Sequence, residues 1–277
     1  MTSAAEASHS ANLREIVYNT GVPEAFDPSE DYFEASKLTR DGLAWETPGI
    51  PPLLQSPELQ KMSQRASRRY SSRPFTDLGE AEELPNRFDS LLRTRRSCPQ
   101  FGGGKLSLTS IHQILHHSYG AYPFDHGHQS RRNVPSGGAL YPLDLYLVSR
   151  NVDSLKAGSL HHFDPYRHGI AHIRDGVDLD ALGEALLLPE VAQDASAFII
   201  ISATFWRSRF KYAQRALRFC LMESGHVAQN LVTVATSIDV QSRVFGGFMD
   251  NEINEILPDH NGVDDAALYV VLLGAEN

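Results

Sequence analysis

Cysteine is scarce in this chain: Cys98 and Cys220 are the only two among 277 residues, too few for a disulfide framework or a thiolate metal site. No apolar run approaches the roughly 18 residues that a membrane helix needs. The opening stretch MTSAAEASHSANLRE lacks the charged-then-apolar pattern of a signal peptide. Together these absences point to a cytoplasmic protein without membrane contact. Excess positive charge is lacking as well. The 25 Lys and Arg stand against 34 Asp and Glu, a net charge of −9, which argues against a whole-surface nucleic-acid binder. There is no internal repeat. With 42% hydrophobic and 21% charged residues, the composition excludes collagen-like, coiled-coil and fully disordered chains.

The charge is unevenly spread. Residues 1–64 carry 4 basic against 10 acidic side chains, residues 65–132 carry 11 against 6, and residues 133–277 carry 10 against 18. An acidic protein with one basic block binds a small anion more often than a polymer. Within that block, Arg65–Arg73 (RASRRYSSR) reads first as a solvated loop.

The second half is the more regular. Ser107–Ser118 is predicted as a helix, with hydroxyls to cap it, Ile111 and Leu115 one turn apart, and Gly120 to end it. Asp31–Asp41 reads as a short helix or strand. Leu143–Val148, Leu160–Phe163 and Ile170–Ile173 read as strands, and Asp178–Leu188 as a helix. Ala197–Ala203 (AFIIISA) has the apolar run of a strand buried on both faces. A long helix is expected over about 210–238. Leu217, Cys220, Leu221, Ser224, Val227, Ala228, Leu231 and Val234 form its apolar stripe. A short helix after Asp250 and a strand Leu268–Leu273 close the chain. This order predicts an α+β fold.

Three constellations could carry chemistry. His112 and His116 are spaced i, i+4, but no Glu follows the first and no third ligand is evident, so surface or core histidines are the better account and no metal is expected. Glu223 and His226 share a helix face without the second pair that a carboxylate site needs. Arg93–Ser97 joins guanidinium groups to a hydroxyl, a set that suits phosphate and equally suits an ordinary helix end. The run Gly102–Lys105 is not a P-loop, because the spacing and the Ser/Thr after Lys are missing. The third is Pro135-Ser-Gly-Gly-Ala-Leu-Tyr-Pro142, whose prolines fix some backbone angles while its glycines free others, so that main-chain amides can approach a flat ligand.

Arg95-Arg96-Ser97, PSGGALYP at 135–142, Ala157–Pro165, LMESGHVAQN at 221–230 and VFGGFMD at 244–250 occur in one order. In that order and spacing they resemble the SagB-type (McbC-like) branch of the FMN-dependent nitroreductase superfamily, over about residues 90–275. YFEASKL at 32–38 resembles a further feature of that branch, with Phe33 where a His is frequent. The resemblance implies a nitroreductase-like α+β fold: a central mixed sheet flanked by helices, one of them long and central. It divides the chain into an N-terminal extension, 1–90, with substrate-contacting or dimer-wrapping roles, and an FMN-binding domain, 91–277.

Within the branch the chain is most similar to azoline dehydrogenases. These oxidise thiazolines and oxazolines in a ribosomally made precursor peptide to thiazoles and oxazoles, beside a cyclodehydratase subunit. The resemblance implies FMN as cofactor and a homodimer. Lys211 and Tyr212 match the family's catalytic pair. Arg95, Arg96 and Ser97 are implied to hold the FMN phosphate. Pro135, Ser136, Gly137 and Gly138 line the flavin from the partner subunit, and Gly246 and Gly247 approach the ring. Removing a proton from the α-carbon requires a base facing the substrate. Arg207, Arg209, Lys211, Arg215 and Arg218 place five cations in twelve residues with no acid among them, a setting that lowers the pKa of either dyad member. Two departures stand out. Pro99 lies where many relatives have a cation, and the chain ends LLGAEN without the usual basic residues, so Arg131, Arg132 or Arg243 is needed to compensate. The other readings are an NAD(P)H-dependent nitro or quinone reductase, a flavin dehydrogenase of another cyclic peptide, and a non-catalytic scaffold subunit of a synthetase complex.

Overall fold

A computed structural model describes residues 28–35, 39–41, 55–58, 88–123, 130–212 and 216–275. In chain order the helices are α1 (Pro28–Ala35), α2 (Phe88–Thr94), α3 (Leu108–Tyr119), α4 (Leu179–Ala185), α5 (Pro189–Ala192), α6 (Trp206–Tyr212), α7 (Ala216–Ser237) and α8 (Asp250–Ile256). The strands are β1 (Ala121–Pro123), β2 (Ser130–Arg132), β3 (Leu143–Ser149), β4 (Leu160–Asp164), β5 (Gly169–Arg174), β6 (Ala197–Thr204), β7 (Gln241–Phe245) and β8 (Asp265–Gly274). The stretch Arg65–Arg73 lies outside the described residues.

The α+β expectation holds, and β3 to β8 form a six-stranded sheet of order β5-β4-β3-β6-β8-β7. Its described pairings are all antiparallel, so the sheet is not the mixed one expected. A lone parallel bridge, Leu106 to Val152, lies outside the strands. β6 runs through the middle and is buried along its whole length. Alternation of side chains sends Ala197, Ile199, Ile201 and Ala203 into one core and Phe198 and Ile200 into the other. The first core is closed by α3 and α7, the second by α4, α5 and α8. Each buried Ile, Leu or Phe side chain contributes about 1.5–3 kcal/mol.

Helix α3 starts where its caps dictate: the Ser107 hydroxyl accepts the Ser110 N–H, and Gly120 follows the last turn. Asp178 caps α4 by accepting from Asp180 and Ala181. The helix expected over 178–188 stops at Ala185, Leu187 takes φ +62°, and Pro189 opens α5. The long helix expected from 210 is two elements, because α6 ends at Tyr212 and α7 begins at Ala216. Leu221, assigned to the apolar stripe, is 39% exposed beside Met222 at 53%. The glycines at 102–104 fasten the chain across the sheet end. Gly103 donates to the Asp194 carbonyl, Ser196 Oγ donates to the Gly104 carbonyl, and Gly104 bridges to Ala275.

Candidate active site

Arg95, Arg96 and Ser97 follow the last turn of α2. The Arg95 N–H continues the helix onto the Leu91 carbonyl. Arg96 turns back on its own chain, giving its guanidinium to the Arg93 and Arg95 carbonyls. One residue after Ser97, the Cys98 N–H donates to the Ser242 carbonyl, which fixes the segment along edge strand β7. Arg96, Ser97, Pro99, Gln241 and Ser242 line a cleft of about 640 Å³ there. Gly246 and Gly247 leave the other end of β7. Four residues at about 3.3 Å each separate Ser242 from Gly246, roughly 13 Å, the length scale of a flavin mononucleotide. A side chain at Gly246 would press on the Tyr269 ring at 3.0 Å, and nothing lies within 4 Å of a Cβ built on Gly247. Guanidinium and hydroxyl donors at one end of the strand and bare backbone at the other suit a phosphate and a flat ring, so these residues fit FMN.

Of the three arginines weighed as compensation, Arg243 reaches this place, its Nη1 donating to the Cys98 carbonyl at 3.2 Å. Arg132 is engaged elsewhere. Its guanidinium stacks over the Tyr119 ring at 4.3 Å and the Tyr141 ring at 4.9 Å. Arg131 and Pro135 are exposed and line a separate cleft with Tyr122 and Asn133.

Ser136, Gly137 and Gly138 form a tight turn between β2 and β3. Gly138 has φ +66°, a left-handed conformation natural to glycine, and the Ser136 hydroxyl accepts the Tyr141 N–H at 2.9 Å. A methyl group on Gly137 would stand 3.1 Å from the Phe219 ring, and Phe219 meets Tyr212 edge to face with centroids 4.8 Å apart. The glycine turn, the first turn of α7 and the end of α6 are therefore one packed unit. Lys211 is the sixth residue of α6; its side chain lies outside the described residues, as does Arg215.

Beneath this unit sit acids that the sequence reading did not place in the site. Glu223 on α7 is 2% exposed and accepts the Tyr119 hydroxyl at 3.0 Å. Burial pushes its carboxyl above the ordinary value, against the Ser136 and Tyr119 hydroxyls and the Arg132 guanidinium, which hold it down. Its signal in the sequence is an acid on the inward helix face, between Cys220 and Val227. Asp144 on β3 lies 2.8 Å from Arg207 Nη1 and 3.2 Å from His162 Nε2. Burial alone would raise the Asp144 carboxyl; His162, Arg207 and Arg132 outweigh it and leave it below the usual range. The cationic run, which holds no acid of its own, is thus partly neutralised from β3. Arg209, in turn, is buried over the Trp206 ring.

His112 and His116 do not converge on a ligand. His116 Nδ1 lies 3.0 Å from His168 Nδ1, and His116 Nε2 lies 3.1 Å from the Tyr122 hydroxyl. Among the described residues no three His, Cys, Asp or Glu side chains are arranged to hold a metal ion. Both cysteines are buried, and burial pushes the Cys220 thiol up to about 12.

Among known proteins, residues 92–274 match the nitroreductase family. A Methanocaldococcus jannaschii protein whose name assigns it to the nitroreductases is 34% identical over 184 residues, 65% of this chain and 87% of that protein. The microcin B17-processing protein McbC of Escherichia coli is 31% identical over 163 residues, 54% of this chain and 55% of that protein. In structure, the whole chain aligns with 98% of a chain of the E. coli microcin synthetase McbBCD complex bound to truncated pro-MccB17, with a TM-score of 0.61 and 22% identity. That likeness supports the fold.

Proposed function

The chain belongs to the nitroreductase family, and on that premise we propose that it is an FMN-dependent azoline dehydrogenase. It converts thiazoline or oxazoline rings of a ribosomally made precursor peptide into thiazoles or oxazoles, beside a cyclodehydratase subunit in the cytoplasm. The observation that carries this reading is the packed unit of Gly137, Phe219 and Tyr212, which seats the end of the Lys211–Tyr212 helix against the glycine turn. The relation to McbC, a microcin-processing protein, supports a peptide substrate.

Arg95, Arg96 and Ser97, with Arg243 beside them, hold the phosphate; Gly246 and Gly247 leave room for the ring; Ser136, Gly137 and Gly138, with Pro135 bracing the turn, face it from a second copy. Bound FMN supplies a two-electron acceptor for the hydride that leaves the azoline ring. The protein's own task is the proton: Lys211 or Tyr212 takes it from the ring's α-carbon, and the glycine turn sets where that carbon lies.

The division at residue 90 and the homodimer belong to the same proposal. Two groupings of site residues, one along β7 and one around the glycine turn, suit a site completed by a second copy. The outer face of α7 supports this, since it exposes Leu221 and Met222, and a Cβ on Gly225 would meet nothing within 4 Å.

The test is to incubate the FMN-reconstituted protein with a synthetic peptide bearing one thiazoline and to follow loss of two hydrogens by mass spectrometry. Oxidation that disappears in Lys211→Ala and in Tyr212→Phe is the expected result. Full-rate oxidation by the double variant refutes the dyad. If the holoprotein leaves azolines untouched and reduces a nitroarene with NAD(P)H, it is a nitro or quinone reductase, the reading that the M. jannaschii relative favours. A protein that takes up no FMN is a scaffold.

A further inference from the structure

Helix α6 has seven residues, too few to hold a helix in water unaided, so its place is set by what grips its first turn. Contacts among the described residues do so. Phe33 of α1 packs edge-on against Phe205 with centroids 5.0 Å apart, and the Trp206 indole N–H donates to Asp264 at 2.6 Å. Beside them is the Arg207–Asp144 ion pair at 2.8 Å. Only Arg207 stands on the helix face that Lys211 continues one turn later, at i and i+4.

We infer that Asp144 is a positioning residue for the Lys211–Tyr212 helix, acting through the Arg207 guanidinium; the inference rests on the dyad assignment made above. Asp144 suits the task because it is itself held. Its side chain is 18% exposed, it leaves central strand β3, and on its other side are His162 Nε2 at 3.2 Å and Thr204 Oγ1 at 3.5 Å. The carboxylate is part of the sheet, and the helix takes its place from the sheet.

The pair also sets the local field. Facing Asp144 are Arg207 from α6, His162 from β4, Arg132 from β2, Tyr119 from α3 and Tyr146 from its own strand; Asp265 from β8 faces Arg207. Replacing Asp144 by Asn leaves Asp265 as the acid beside Arg207 and makes the field along α6 more positive. A more positive field lowers the pKa of a base there. Two effects follow from one charge: the helix loosens, and the acid limb of the rate profile moves to lower pH.

Trp206 is 5% exposed and is one of two tryptophans in the chain, so a Trp45→Phe background makes it the sole emitter. In that background, acrylamide quenching of the apoprotein reports the seating of α6 without cofactor or substrate. The thiazoline peptide reports kcat, KM and the pH profile of the holoprotein. Asp144→Asn is expected to raise quenching, lower kcat about tenfold with KM little changed, and shift the acid limb downward. Asp144→Glu restores part of all three. Arg207→Gln repeats the loss of kcat, and the double variant is no worse than the worse single, because the two residues act as one unit.

Unchanged quenching and kcat in Asp144→Asn overturn the inference, as does a double variant whose losses multiply. If Asp144→Asn fails to fold, Arg207→Gln decides alone: its quenching and kcat either change together, as expected, or stay as in the parent, which overturns the inference. The dyad is judged separately. Full activity of Lys211→Ala and Tyr212→Phe with a loosened Trp206 in Asp144→Asn sinks the dyad and keeps the anchor. Inactive dyad variants with an unaffected Asp144→Asn sink the anchor and keep the dyad.

Discussion

Gly137→Ala is the sharpest single test of the packed unit. Gly138, not Gly137, carries the left-handed φ in the turn, so alanine at 137 is judged by space. Its methyl group would lie 3.1 Å from Phe219 Cδ2 and 3.2 Å from Cγ, where ordinary contact begins near 3.4 Å. The ring has to yield by a few tenths of an ångström. Such overpacking costs about 1 kcal/mol. In a domain of this size that lowers Tm by roughly 2–4 °C. Function should suffer more. Phe219 carries Tyr212 edge-on at 4.8 Å, so the displacement passes to the dyad. A 1 Å misplacement of a reacting group costs about a hundredfold, and a third to half of that costs about tenfold in kcat. The assay pairs thermal unfolding with turnover of the thiazoline peptide. Phe219→Leu in the same chain makes room for the methyl group and should recover most of the rate. A Gly137→Ala protein with the expected fall in Tm and wild-type kcat would refute the argument that the turn and the dyad are mechanically joined.

Two further outcomes are expected. Replacing Arg95 by Gln or Ser97 by Ala should weaken FMN binding by about tenfold or more, a charge-assisted bond being worth about 1.5–3 kcal/mol. Riboflavin, which lacks the phosphate, should bind as before; flavin fluorescence titration of both ligands checks this. Glu223 has its pKa raised in the fold above the ordinary 4.5 by burial, so its contribution is full below the unfolded value and is lost as pH rises through the folded value. Thermal unfolding of Glu223→Gln across that window should show the wild type losing stability relative to the variant as pH increases. Parallel curves would remove the ionised carboxyl from the account.

Much of the scaffold was legible because it rests on local chemistry. Ser107 and the Ile111–Leu115 spacing announce α3, and the unbroken apolar run AFIIISA announces β6. What escaped depends on contacts between distant residues. No glycine or proline marks the boundary between α6 and α7, and α6 is seated by Asp144 of β3 and by Asp264 in the bend before β8. β7, QSRVF, is a half-buried edge strand whose polar residues mask its periodicity. The same division runs through the site. The turn at 135–138 is written in prolines and glycines. The acids beneath it, Glu223 and Asp144, gain meaning once folding brings Tyr119, Ser136 and Arg207 to them.

The bridge between Gly104 and Ala275 sets the segment that follows the Arg95–Ser97 motif beside the end of β8, with Ser196 and Asp194 holding that segment in place. A chain whose ends are joined by a linker and which opens instead at the exposed Tyr166–Arg167 turn would keep each pairing of the six-stranded sheet and the Arg95–Ser97 segment with it. The order in which this domain is threaded is thus separable from the architecture it reaches, and a permuted gene offers a way to place a partner or a tether at the turn between β4 and β5 without altering the dyad.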